Sequence, residues 1–209
     1  MSTRYAQPLV AAPAAVLAAV LGMTTALAAA TWTVRPGGPV SLTSSQLVVR
    51  DTSTGSTLSC TPAHFSGTLK GGGGLPGTGI GAITSGGSSQ CNGPLGLPFT
   101  LTAAGLPWQA TFTSYNASKG RVAGHLSPGR AKVAGMGCSA VIDGTSGTAS
   151  DGIVRFSYTN STATLRVLPN GGNLHFYNLS GCAGLFTGGD PVTISGKFSV
   201  SPKQTITSP

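Results

Sequence analysis

Three histidines (His64, His125 and His175), four aspartates (Asp51, Asp143, Asp151 and Asp190) and many serines are the residues from which hydrolytic chemistry would have to be built. A serine hydrolase needs a nucleophile beside a base, and no G-x-S-x-G elbow occurs in the chain. A triad is defined by geometry rather than order, so an unrecognised hydrolase stays as an alternative reading. Aspartic protease chemistry needs two carboxylates sharing a proton. Asp51-Thr52-Ser53-Thr54-Gly55 and Asp143-Gly144-Thr145-Ser146-Gly147 lack the Asp-Thr/Ser-Gly order, and Asp-Gly reads better as turn chemistry. There is no Glu, so a glycosidase pair or a calcium cage would have to come from the four Asp, two of which sit in Asp-Gly turns. Gly72-Gly73-Gly74-Leu75-Pro76-Gly77 formally matches G-x-G-x-x-G, but Pro76 obstructs the helix a nucleotide site requires. No catalytic residue, cofactor or metal site is expected.

Lys119, Arg121, Arg130 and Lys132, with His125, occupy a stretch without an acid. They are candidates for contact with an anionic surface. The competing reading is a solvated hairpin whose edge charges block aggregation. The Thr-x-Thr pairs have no fixed period and read as an ordinary Thr-rich outer face, and the three sequons at Asn116, Asn160 and Asn178 follow from composition.

The elements that must position these groups show strict alternation. Val192, Ile194, Gly196, Phe198 and Val200 alternate with polar residues over Pro191–Ser201. So do Phe99, Leu101 and Ala103; Trp108, Ala110 and Phe112; and Val154, Phe156 and Tyr158. One wet face and one apolar face mark antiparallel strands. Phe99, Leu101, Trp108, Phe112, Val154, Phe156, Ile194, Phe198 and Val200 are the expected core. Pro169-Asn170-Gly171-Gly172 between two runs (Thr164–Leu168 and Asn173–Leu179) predicts a hairpin, and Asp143-Gly144 and Asp151-Gly152 predict tight turns. Gly71–Gly81 reads as a mobile loop or a strand-edge crossover, and a short helical turn is expected around Cys182–Phe186. The fold class is all-β: an antiparallel β-sandwich or barrel.

Cys60, Cys91, Cys138 and Cys182 form an even set, which in an oxidising compartment predicts two disulfides. Cys60–Cys91 with Cys138–Cys182 is the favoured pairing, because each bridge then closes a loop within one half. Cys91-Asn92-Gly93-Pro94-Leu95 and Cys182-Ala183-Gly184-Leu185-Phe186 each lead into an alternating strand. This suggests a duplicated β unit with halves 31–128 and 129–209 in a single domain. No C-x-x-C pair favours zinc.

Residues 1–30 read as a signal peptide: Arg4, an Ala/Leu/Val stretch, and small residues permitting cleavage after Ala28 or Ala30. Removing them takes the formal charge from +8 to +7 through loss of Arg4, and leaves no expected transmembrane span. The expected location is secreted or envelope-associated. There, a basic protein meets anionic envelope polymers or an apolar ligand rather than nucleic acid.

Gln90–Trp108 (QCNGPLGLPFTLTAAGLPW), Ser157–Leu168 (SYTNSTATLRVL) and Asn178–Pro209 resemble a large family of uncharacterised secreted all-β proteins of actinobacteria. The resemblance implies export, disulfides and an all-β scaffold, and no activity. The expected function is therefore a non-enzymatic structural or interaction protein of the envelope or extracellular space. An apolar-ligand or lipid-binding β-barrel is the alternative from a different class.

Overall fold

The computed structural model describes residues 31–209, together with Met1 and Thr3; the stretch expected to be a signal peptide, with its expected cleavage sites, lies outside the described residues. Among the described residues, seventeen strands follow one another with only two short 3-10 turns. They are β1 (Thr31–Arg35), β2 (Gly38–Ser44), β3 (Leu47–Asp51), β4 (Thr57–Cys60), β5 (Ala63–Leu69) and β6 (Gly72–Pro76). Next come β7 (Gly81–Asn92), β8 (Pro98–Ala104), β9 (Trp108–Asn116), β10 (Arg121–Ser127), β11 (Arg130–Gly135) and β12 (Cys138–Asp143). The chain ends with β13 (Val154–Thr159), β14 (Thr164–Val167), β15 (His175–Ser180), β16 (Val192–Ser201) and β17 (Thr205–Thr207). The scarcity of helix formers and the density of Thr, Val and Ile leave extended structure as the cheap local state.

Three long features organise these strands. β2–β3 and β4–β5 form one bent hairpin with an unbroken register, from Gly38↔Leu69 through Ser44↔Ala63 and Leu47↔Cys60 to Arg50↔Thr57. It kinks at Ser45–Gln46 opposite Thr61–Pro62. There the Ser44 hydroxyl takes over hydrogen bonding to Gln46, and Pro62 has no N–H to offer the ladder. The other two features are the long strands β7 and β16, one on each side of this hairpin.

The first half of β7 closes an eight-stranded antiparallel barrel through β5, β2, β16, β14, β13, β10 and β9. Of the two expected architectures, the barrel is the one formed. The second half of β7 continues into β8, β11, β12 and β15. β15 returns to the start of β16 through the His175↔Pro191 bridge and the flanking bonds Val192 N–H to Leu174 O (2.8 Å) and Phe176 N–H to Asp190 O (3.0 Å). With β3 and β4, these pairings trace a second circuit that shares β7, β16 and the bent hairpin with the first. Each circuit draws strands from both sides of residue 128, so the two halves of the chain are not two separate barrels.

A small sheet, β17–β1–β6, packs Trp32, Val34 and Ile206 onto the core, with Trp32 edge-on to Phe112 at 5.2 Å between ring centres. The Gly-rich segment is thus a strand at a sheet edge. Gly77 has no room for a side chain: a Cβ would stand 2.6 Å from Phe112 O and 2.9 Å from Trp32 Nε1. Eight of the nine expected core residues are buried, and Ile194 is half-buried against the same core. The disulfides are Cys60–Cys91 and Cys138–Cys182, as expected.

Two local expectations are corrected. Residues 164–168 and 173–179 do not form a hairpin: β14 is already flanked by β13 and β16, and β15 pairs with β12. The Pro169–Asn173 segment crosses between the circuits instead. It is held there by Arg155 Nε donating to Gly171 O (2.5 Å) and by Asn173 Oδ1 accepting from Ile153 N (2.7 Å). Around Cys182–Phe186 there is only a turn, closed by Leu185 N–H to Cys182 O at 2.8 Å. Ala183 and Gly184 both have positive φ, which ends any right-handed helix.

Candidate anion-binding groove

The ionisable groups singled out in the sequence are mostly absorbed by the fold. Asp51 is buried at the end of β3, where its Oδ1 accepts from Ser53 N (2.9 Å) and Thr54 N (3.0 Å). Asp143 is buried at the end of β12, accepts from Gly144 N (2.8 Å) and Ser150 N (3.2 Å), and lies 3.3 Å from Arg130 Nε. Asp151 accepts from both the backbone N–H (2.8 Å) and the hydroxyl of Thr145 (2.5 Å). These two bonds, the hydroxyl's first, hold its pKa below the ordinary 3.8. All three are turn-stabilising carboxylates. Asp51 and Asp143 are separated across the sheet by β16 and β15, a path of about 14 Å at roughly 4.8 Å per strand, which is too far for a proton-sharing pair.

The histidines behave similarly. His175 Nδ1 faces two carbonyls, Asn173 O at 2.9 Å and Gly144 O at 3.3 Å; carbonyls only accept, so this nitrogen carries the proton. His64 is exposed and meets the Thr43 hydroxyl at 3.3 Å. His125 sits on β10 between Thr111 and Arg155. Among the described residues no group of three or more His, Cys, Asp or Glu is placed to hold a metal.

The basic stretch divides. Lys119 ends a 3-10 turn capped by Asn116, and Arg121 begins β10 beside Asn116 and Thr159. Arg130 and Lys132 lie on β11, which pairs with β8 and β12 and not with β10. The stretch is therefore not a hairpin, and its two pairs of cations belong to different circuits. Arg130 is taken up by Asp143, by Gly147 O (2.6 Å) and by Ser150 Oγ (3.1 Å). The acid missing from the sequence stretch arrives from β12. Lys119, Arg121 and Lys132 remain exposed.

A different pair of cations is brought together. Arg166 on β14 and Lys197 on β16 are direct cross-strand partners, both exposed on the outer wall. Among the described residues they are the one pair of Lys or Arg placed opposite each other in a strand register. Like charges in that position repel. They border an outer groove of about 490 Å³. It opens where β14 leaves β16 after Val167↔Gly196, and where β16 changes partner from β3 to β2. Hydroxyls of Ser45 and Ser195 and the amide of Gln46 line it; Val48, Leu168 and Pro169 give it an apolar floor. No carboxylate lines the groove. Inside the protein, by contrast, two apolar cavities of about 60 Å³ each remain, both bordered by Leu42, Ile83, Leu126 and Leu165.

The sequence held half of the signal for this groove. Alternation places Lys197 on the wet face of its strand, but the partnership with Arg166, thirty-one residues earlier, depends on β14 pairing with β16. The hairpin assigned to residues 164–179 hid that pairing.

Fold and groove together define a disulfide-stapled antiparallel β-barrel with a basic groove on its outer wall. No family model, curated protein or solved structure matches the chain. No helix among the described residues is long and apolar enough to cross a membrane.

Proposed function

We propose that the protein is an exported, non-enzymatic interaction or structural protein that works outside the cytoplasm by holding an anionic polymer of the cell envelope against its outer wall. The carrying observation is a separation of charge. Residues 31–209 contain eleven Lys and Arg and four Asp, so 11 − 4 = +7. Ten of the eleven cations are exposed, all but Arg130, whereas Asp51 and Asp143 are buried and Asp151 and Asp190 are half-buried. Exposed cations therefore far outnumber exposed carboxylates on the surface, and with a net charge of +7 this favours anionic partners.

The two disulfides, the N-terminal stretch and the resemblance to secreted actinobacterial proteins support export. The alternative of an interior lipid carrier has less support. Each internal cavity is about 60 Å³, against roughly 300–1,000 Å³ for sites that enclose small molecules.

The test is retention of the purified, oxidised protein on an insoluble anionic polysaccharide–phosphate matrix beside a neutral matrix. Retention on the anionic matrix alone, released by about 0.5 M salt through screening, is the expected result. Equal retention on both, or none on either, overturns the reading.

A further inference from the structure

The outer wall gives no folding reason to place Arg166 opposite Lys197. The position is repulsive, and neither side chain has an acid lining its groove. The strand registers put two further cations around the same depression. Leu168 N–H bonds Arg155 O at 2.9 Å, which sets Arg155 beside the groove floor. Its Nε is held by Gly171 O, which leaves the outer guanidinium nitrogens free of that bond. Arg50 is the next outward position beyond Val48 on β3. Using about 4.8 Å between strands and about 6.7 Å between alternate residues, Arg155 stands roughly 8 Å from Arg166, and Arg50 roughly 14 Å from Lys197.

Resting on the reading above, we propose that this groove is the binding site, and that its ligand is a flexible phosphodiester-linked polyol chain. One phosphate would lie between Arg166 and Lys197. The guanidinium fork takes the two non-bridging oxygens, and the ammonium a further lone pair on one of them. Neighbouring phosphates along the chain would reach Arg155 on one side and Arg50 on the other, and carbons between them would lie on Val48, Leu168 and Pro169. No aromatic side chain lines the groove to stack on a rigid sugar ring. None of the exposed large apolar residues of the described chain (Met1, Leu95, Leu106, Met136) lines it as an anchor for a lipid bilayer. A soluble, flexible polyanion is the occupant that uses every feature present.

The probe is fluorescently labelled poly(glycerol phosphate), titrated against the wild-type protein, the Arg166→Ser/Lys197→Ser variant and a Lys119→Ser/Arg121→Ser variant. The groove variant should bind at least tenfold more weakly, with a shallower dependence on salt because the phosphate between the two cations is no longer neutralised. Its melting temperature should equal or exceed that of the wild type, since a repulsive pair has been removed, and the second variant should bind within about threefold of the wild type. Wild-type binding that survives in the groove variant and is lost in the second variant overturns the groove but leaves an anion-binding protein. Equal or tighter binding of polygalacturonate overturns the phosphodiester assignment. Capture by phosphatidylglycerol vesicles without binding of the soluble polymer assigns the surface to a membrane instead. If no polyanion binds the wild type, the groove and the general reading fail together.

Discussion

At the scale of single residues, the buried polar groups are few and are held mainly by bonds to the backbone. Tyr158 is buried; its hydroxyl donates to Gln204 O (2.8 Å) and accepts from Gln204 N (3.1 Å). The Gln204 side chain accepts from Gly37 N at 2.9 Å. Tyr158→Phe leaves both backbone groups of Gln204 without this partner in a buried setting, and should cost about 1–3 kcal/mol in denaturant unfolding. Burial raises the phenol pKa above 10.0, and the bond accepted from Gln204 N–H opposes this only in part. Tyr158 therefore contributes stability that is fully present below pH 10 and lost as pH rises through its higher folded value, and the phenylalanine variant should lack that alkaline decline. Asp151 works in the opposite direction. Its folded pKa is lowered, so its contribution is present above about pH 4 and lost as pH falls through the folded value. Asp151→Asn should flatten the acid limb of melting temperature against pH; an unchanged limb would show that the Thr145 bonds carry no linkage. Asp151-Gly152 forms no turn, its carboxylate reaching back to Thr145; at Asp143-Gly144 the local bond from Gly144 N to Asp143 was readable as turn chemistry. The link from Arg130 to Asp143 was not, because it needs the β11–β12 register.

At the scale of elements, alternation was a sound guide to which face of a strand is buried, and a poor guide to which strand lies beside it. Phe99, Phe112, Phe156 and Phe198 all turn inward as their spacing requires. The segment 164–179 misled because a Pro-Asn-Gly-Gly turn signal is local, whereas pairing is decided by which edges remain open. β14 fills the gap between β13 and β16, and that long-range closure outweighs one tight turn. The bridges sit where the second circuit needs them: Cys60–Cys91 joins directly paired residues of β4 and β7, and Cys138–Cys182 ties the start of β12 to the turn after β15. β15 meets β16 only through a bridge and a few flanking bonds. Cys138→Ser/Cys182→Ser should therefore lower stability by roughly 3–4 kcal/mol. Hydrogen exchange in His175–Ser180 should rise more than in β10; uniform acceleration would mean that the bridge acts on the unfolded chain alone.

At the scale of the whole molecule, the two circuits are joined so closely that they should behave as one unit. β7, β16 and the bent hairpin belong to both, and Leu42, Ile83, Leu126 and Leu165 border both internal cavities. A barrel that lost its neighbour would expose one half of each shared strand and the apolar wall between them, so unfolding of one whole circuit without the other has no low-energy form. Val122 lies deep in the first circuit and Phe176 in the second, each almost fully buried. Phe176→Ala should cost about 3–5 kcal/mol and Val122→Ala somewhat less, since it removes fewer atoms. Each variant should shift a single cooperative transition seen identically by far-ultraviolet circular dichroism and by tryptophan fluorescence. Both tryptophans, Trp32 and Trp108, pack against first-circuit partners, Phe112 and Phe65. A second circuit that melted alone in the Phe176 variant would move the dichroism transition ahead of the fluorescence one. Non-coincident transitions would make the shared strands a hinge between independent barrels; coincidence would make them the common core of one.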